Sequence, residues 1–195
     1  INAVWQDETN YALAAEKVID WLVSRDDVDA DKIAVFGTSM GSRWGVRVGA
    51  HDPRVKAVVG QMANVGTFDM IFEQAQPNFK RIFMYMAGYT EEEEFDKFVE
   101  RLALLPDLAK KVTVPHLLVA GDMDELCTPN DIVKFRSSLA GPSELWLYEG
   151  VFHPMGEVAA QIYPCIADWL LETLNSGRPA GYNNEVYVEE GTVLA

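Results

Sequence analysis

The sequence is short of what would place it in a membrane, on nucleic acid or behind an oxidising barrier. No apolar run approaches the roughly 20 residues that a membrane-spanning helix needs. The opening residues Ile1-Asn2-Ala3-Val4-Trp5-Gln6-Asp7 lack the basic-then-apolar order of a signal peptide. There is no initiator Met, so a fragment, a processed product or a trimmed chain is expected. Positive charge is scarce: 16 Lys and Arg stand against 30 Asp and Glu, a formal net charge of −14. Nucleic acid is not an expected partner, because binding it requires a basic footprint that displaces phosphate counterions. The same charge disfavours an anionic membrane surface, and is read instead as solubility. The two cysteines, Cys127 and Cys165, are far apart and form no metal or redox motif. Both are expected to be reduced thiols in a cytoplasmic protein.

What is present suits a single globular domain. With 195 residues, 49% of them hydrophobic, the chain can bury a sizeable core. Tyr11 to Ser24 reads as a helix, with Ala14, Val18, Trp21 and Leu22 on its apolar face and Thr9 or Asn10 as N-cap. Lys32 to Phe36 is a short apolar run ending at Gly37, read as a buried parallel strand. A helix from just after Ser39 to about Ala50 follows. Three more strands are expected at Val55 to Val59, His116 to Ala120 and Glu144 to Tyr148. A last helix runs from about Glu157 to Leu174, stopped by Gly177 and Pro179. Strands alternating with helices imply an α/β fold: a parallel sheet of about four strands flanked by helices. The tail from 180 to 195 has little periodicity and is expected to be mobile or docked on a partner.

Residues from about 64 to 113 break the alternation. They include an apolar group, Phe68, Phe72, Phe83 and Met84, and a helix from Glu91 to Leu105 led by four glutamates. Negative charge suits a helix N-terminus. A long helical insertion between two strands is expected to act as a lid over a pocket, and its apolar side chains to line that pocket. A plain crossover with an extra helix pair is the simpler alternative.

Gly37-Thr38-Ser39-Met40-Gly41 is a G-x-S-x-G pentapeptide between a strand and a helix. In that context the serine sits on a sharp turn that lifts its hydroxyl above the sheet. The flanking glycines are expected because side chains there would meet the adjoining strand and helix. Ser39 is the expected nucleophile, and the Met40 N–H an oxyanion donor at the helix N-terminus. A serine needs a base to take its proton. His153 follows a strand in the loop Glu149 to Pro154, after an acidic loop, Asp122-Met123-Asp124-Glu125, that itself follows a strand. Asp124 is the favoured acid, and Asp122 and Glu125 compete with it. The other two histidines suit other roles: His51 a surface turn at a helix end, His116 a core or edge position.

These segments resemble the C-terminal portion of an α/β-hydrolase. Within that superfamily the chain is similar to a group containing fermentation-respiration-switch-type esterases, fungal polyketide-shortening hydrolases and dihydroxypseudooxynicotine hydrolase. Besides the pentapeptide, the resemblance is carried by Gln6-Asp7, Val28 to Ile33, Asp52 to Val58, Pro115 to Asp124 and Asp168-Trp169-Leu170. It implies hydrolysis of an ester or related acyl bond of a small molecule by Ser39, Asp124 and His153, with no metal and no cofactor. It also implies an alternative, hydrolysis of a carbon–carbon bond in a β-diketone-like substrate, with Glu73 as an assisting acid. The superfamily sets further strands, and a second oxyanion donor, before the nucleophile strand. Only 31 residues precede Lys32, and they show no clear strand. A preceding segment or a homo-oligomer partner is therefore expected to complete the sheet, and a third reading makes the chain inert without it.

Overall fold

Short apolar runs, buried nearly throughout in β2 to β4, generate the sheet. The computed structural model describes residues 9–66, 76–100, 106–192 and 194. Five parallel strands lie in chain order: β1 (Ile33–Thr38), β2 (Val55–Gln61), β3 (His116–Gly121), β4 (Ser143–Tyr148) and β5 (Asn183–Val188). All six residues of β3 are buried, as befits a central strand covered on both faces. Leu117 and Val119 pack on one face with Trp146, Ile162, Ile166 and Trp169. Leu118 and Ala120 point the other way, to Val46, Ile132 and Phe135.

The helices form the two outer layers. On one face lies α7 (Ala159–Ser176), entered through a 3-10 turn at Gly156–Val158. On the other lie α1 (Thr9–Val23), α2 (Met40–His51) and α6 (Pro129–Arg136). Between β2 and β3 the chain makes α3 (Pro77–Ala87), α4 (Glu92–Val99) and the one-turn α5 (Pro106–Ala109). Phe83, Met84, Ala87, Phe95, Phe98 and Val99 close a small core between α3 and α4. Lys80 ties the pair together through Asp96 at 2.7 Å and Glu92 at 3.5 Å. Glu92, Glu93 and Glu94 occupy the first turn of α4, where the helix dipole favours them.

Three expectations need correction. Thr9 and Asn10 lie within α1, so neither is its N-cap. The buried face of α1 is carried by Ala12, Ile19 and the partly buried Ala15 and Leu22, while Val18 and Trp21 are each 57% exposed. α1 thus has two apolar stripes, of which one meets the sheet. Lastly, the tail is not unstructured: residues 183–188 form β5, paired in register from Ser143↔Asn183 to Tyr148↔Val188. Its residues alternate between exposed and inward-facing, with Val186 and Val188 packed on the core beside its polar anchors; only two of its six residues are aliphatic, so hydrophobic periodicity did not reveal it.

β5 is anchored by Glu144, a buried carboxylate on β4. Its oxygens accept hydrogen bonds from Trp146 Nε1, Trp169 Nε1, Tyr182 Oη and Asn184 Nδ2 at 2.9–3.2 Å. Burial alone would raise its pKa; the four donors hold it below the ordinary carboxylate value. From the outside, Arg136 donates to Glu185 at 2.8 Å, to the Asn184 carbonyl at 2.6 Å and to Asn183 Oδ1. Among the described residues no helix is long and apolar enough to cross a membrane.

Candidate active site

The site is assembled at the carboxyl ends of β1, β3 and β4. Ser39 follows β1 directly and precedes α2, with φ 49° and ψ −120°, a left-handed conformation unusual for a residue with a side chain. Local bonds hold this strained turn. The Ser39 N–H donates to the Gln61 carbonyl at 2.8 Å, and the Ser39 carbonyl accepts from Ser42 Oγ at 2.6 Å and Ser42 N–H at 2.9 Å. The buried Ser42 hydroxyl also accepts the Asn64 N–H at 2.8 Å, tying the turn to the chain leaving β2. Sequence reasoning passed over Ser42, which carries no motif of its own.

The glycine expectation is half met. A Cβ on Gly37 would lie 2.1 Å from the Gly41 carbonyl oxygen, so the turn demands glycine there. At Gly41 a Cβ would meet nothing within 4 Å. Gly41 lines an apolar cleft of about 750 Å³ between α1, β1 and α2, which also reaches Ala14, Val18 and Phe36. The cleft abuts the turn along the side of β1 that carries no strand among the described residues.

Ser39, His153 and Asp124 come together in a line. Ser39 Oγ lies 3.2 Å from His153 Nε2, and His153 Nδ1 lies 3.0 Å from Asp124 Oδ2. The Asp124 side chain has no exposed surface and that of His153 is 14% exposed. Asp124 Oδ1 accepts the N–H groups of Leu126 and Cys127, both at 2.9 Å. The carboxylate thus takes three hydrogen bonds, which fix its orientation and favour a proton on Nδ1 of the imidazole. Asp122, two residues earlier, faces elsewhere: it accepts from Gly150 N–H at 2.7 Å and Tyr187 Oη at 3.0 Å. Glu125 is exposed.

Other candidates fall where their environments dictate. Met40 is the first residue of α2, directly after Ser39, so its N–H has no intrahelical acceptor. Its side chain packs against the α3–α4 core. Phe83 and Met84 belong to that same core. Phe68, Phe72 and Glu73 lie outside the described residues. His51 ends α2 at the surface beside Glu16, at 3.0 Å. His116 is wholly buried, its ring edge-on to Phe135, and neither ring nitrogen has a partner among the described residues. Burial pushes its pKa down to about 3, so it is a neutral core histidine. Cys127 is buried beside Asp124; burial and the carboxylates of Asp124, Glu125 and Asp131 raise its thiol pKa.

A model of the prolyl oligopeptidase family matches residues 13–177. Hydrolase LUC6 from Fusarium is 34% identical over 99 residues, covering 51% of this chain and 22% of that protein. Among solved structures, 2,6-dihydroxy-pseudo-oxynicotine hydrolase superposes with a TM-score of 0.76 at 22% identity, over 91% of this chain and 50% of that one. Acetyl xylan esterase from Paenibacillus sp. R4 gives 0.62 at 22% identity, over 85% of this chain and 51% of that one. These likenesses show the α/β-hydrolase fold. The chain spans about half the length of the two structures and 22% of the Fusarium protein.

Proposed function

The chain belongs to the prolyl oligopeptidase family, and from that premise we propose that it is a serine hydrolase of ester or related acyl bonds in small organic molecules. The observation that carries this is the relay from Ser39 Oγ through His153 to Asp124, with contacts of 3.2 and 3.0 Å. Ser39 attacks the substrate carbonyl while its proton passes to His153 Nε2. The imidazolium that results is stabilised by Asp124, whose charge is held by the Leu126 and Cys127 N–H groups. The oxyanion collects at the Met40 N–H, where the α2 dipole favours negative charge. His153 returns the proton to the leaving group, and water then releases the acyl group from Ser39 by the same steps in reverse.

The insertion acts as the lid, because its α3–α4 core rests on the Met40 side chain next to the nucleophile. β1 takes its second neighbour from a strand-bearing segment that precedes this domain in the fold. Two things support that: the apolar cleft beside β1, and superposition on about half of longer solved chains. That segment would bring the second oxyanion donor. The carbon–carbon alternative depends on Glu73, outside the described residues, and no described contact favours it.

The test is turnover of a short-chain aryl ester, by the chain alone and with a strand-bearing segment from a full-length relative co-expressed. Supplying the segment is expected to raise the rate by about 10² to 10³, the value of one oxyanion donor. Ser39→Ala is expected to lower the complemented rate by roughly 10⁶. Activity that survives Ser39→Ala overturns the assignment, and turnover confined to a β-diketone overturns the bond class. Activity of the chain alone in a dimer would give the edge to a second copy.

A further inference from the structure

We propose that Asp124, Cys127 and His153 form an inhibitory site for a thiophilic divalent cation such as Zn²⁺. One ligand atom from each, a carboxylate oxygen, the thiol sulfur and a ring nitrogen, lie within 4.8 Å of one another. The ring nitrogen facing Asp124 is Nδ1, at 3.0 Å from Oδ2. Sulfur, imidazole nitrogen and carboxylate oxygen are the donors Zn²⁺ prefers, with bonds of about 2.0 to 2.3 Å. Those bonds place tetrahedral ligands about 3.3 to 3.5 Å apart, so from spacings of up to 4.8 Å the group needs to contract by about 1.5 Å at most. The carboxylate–imidazole pair already has nearly that spacing. The Cys127 side chain takes no part in the relay; its backbone N–H alone supports Asp124.

Inhibition follows from proton placement rather than from blocking the pocket. The cation enters between Asp124 and His153, in place of the hydrogen bond they share. The Nδ1 proton transfers to Nε2, the thiol proton leaves to solvent, and the cation binds Nδ1, Sγ and the carboxylate, with water completing the tetrahedron. No electron changes hands. The neutral imidazole then carries its proton on Nε2, facing Ser39 Oγ, and cannot accept another. The serine keeps its hydroxyl but loses its base. A cysteine without sequence motif thus becomes a ligand because the loop after β3 curls it back under the acid it supports.

Binding rests on the geometry alone; the effect on turnover rests on the function proposed above, and the experiment separates the two. Co²⁺ is titrated into the chain, followed by visible absorption, and Zn²⁺ is then used to displace it. The expected result is one equivalent of tetrahedral Co²⁺ with a thiolate charge-transfer band, absent in Cys127→Ala and Cys127→Ser and retained in Cys165→Ala. In parallel, fluorophosphonate labelling of Ser39 is timed with and without Zn²⁺. Saturating Zn²⁺ is expected to slow labelling on the order of 10⁴-fold, the scale of a wrong histidine tautomer. Cys127→Ala is expected to lose the Zn²⁺ effect, its labelling rate being the same with and without Zn²⁺. Co²⁺ binding without the thiolate band, or binding that survives both Cys127 variants, would mean a cation held only by the acidic surface, and the proposal fails. Ser39 that never labels, beside an intact thiolate band, sinks the hydrolase reading and leaves the metal site standing.

Discussion

The two edges of the sheet are built on opposite principles. At the β5 edge, Asn183, Glu185 and Tyr187 are exposed, Arg136 clamps the strand from outside, and Glu144 anchors it from beneath. Charged and amide groups on an outer strand discourage further pairing. At the β1 edge, Ile33 to Thr38 carries no charge, Phe36 is 43% exposed, and Val18 of α1 overhangs the same apolar cleft. The first edge is capped by polar contacts, and the second carries no outer strand among the described residues. Ser39 stands directly after β1. The polar anchor lies at the β5 edge, whereas the Ser39–His153–Asp124 alignment spans the carboxyl ends of β1, β3 and β4; the loop after β3 touches both, Asp122 accepting from Tyr187 of β5 and Asp124 facing His153.

That loop gives the largest expected effect. Asp124→Asn should cut turnover by about 10⁴-fold with little loss of stability, because the amide favours the wrong imidazole tautomer. Asp122→Asn should do the converse, loosening Tyr187 and Gly150 while leaving the rate within a few-fold. Kinetics and denaturant melts on the two variants decide it, and a shared phenotype would erase the distinction between anchor and relay. At the β5 edge, Glu144→Ala strands four donors and should cost about 3 kcal/mol of unfolding free energy, with Ser39 labelling unchanged; equal loss of labelling would show that anchor and relay are coupled.

His116 gives a pH-dependent effect. Its folded pKa, about 3, lies below the ordinary value of 6.5. The unfolded chain therefore binds the extra proton first, and stability falls as pH drops from 6.5 towards 3, by up to about 1.4 kcal/mol per pH unit. His116→Leu should flatten that slope in melts between pH 7 and 4, since it removes a buried ring without hydrogen-bond partners among the described residues; an unchanged slope would assign the acid sensitivity to other groups. The smallest effect on the fold itself should come from Phe36→Lys. A charge on the β1 edge should shift the isolated chain towards monomer in sedimentation velocity, and no shift would mean that this edge does not drive association.

The relay was legible in the sequence because its parts are set by chain order and loop position. G-x-S-x-G between strand and helix marked Ser39, and the ends of two apolar strands marked Asp124 and His153. Strands β2 to β4 were legible because burial on both faces selects continuous apolar runs. β1 was legible as an apolar run too, but Phe36 is exposed, which corrects its reading as a fully buried strand. β5 was not, because only Val186 and Val188 of its six residues are aliphatic, and the Asn, Glu and Tyr that make up the rest are discounted by a hydrophobic pattern. The face of α1 was misread for the opposite reason: it has two apolar stripes, and periodicity cannot tell which one the sheet takes. Ser42 and Cys127 act through contacts made only in three dimensions, and no spacing announces them.

The most direct test of the account is mass spectrometry of the chain after treatment with a fluorophosphonate. Labelling at Ser39 is expected, abolished by Ser39→Ala and slowed on the order of 10⁴-fold by Asp124→Asn. Label on any other serine, or a Ser39 rate indifferent to Asp124, would contradict it.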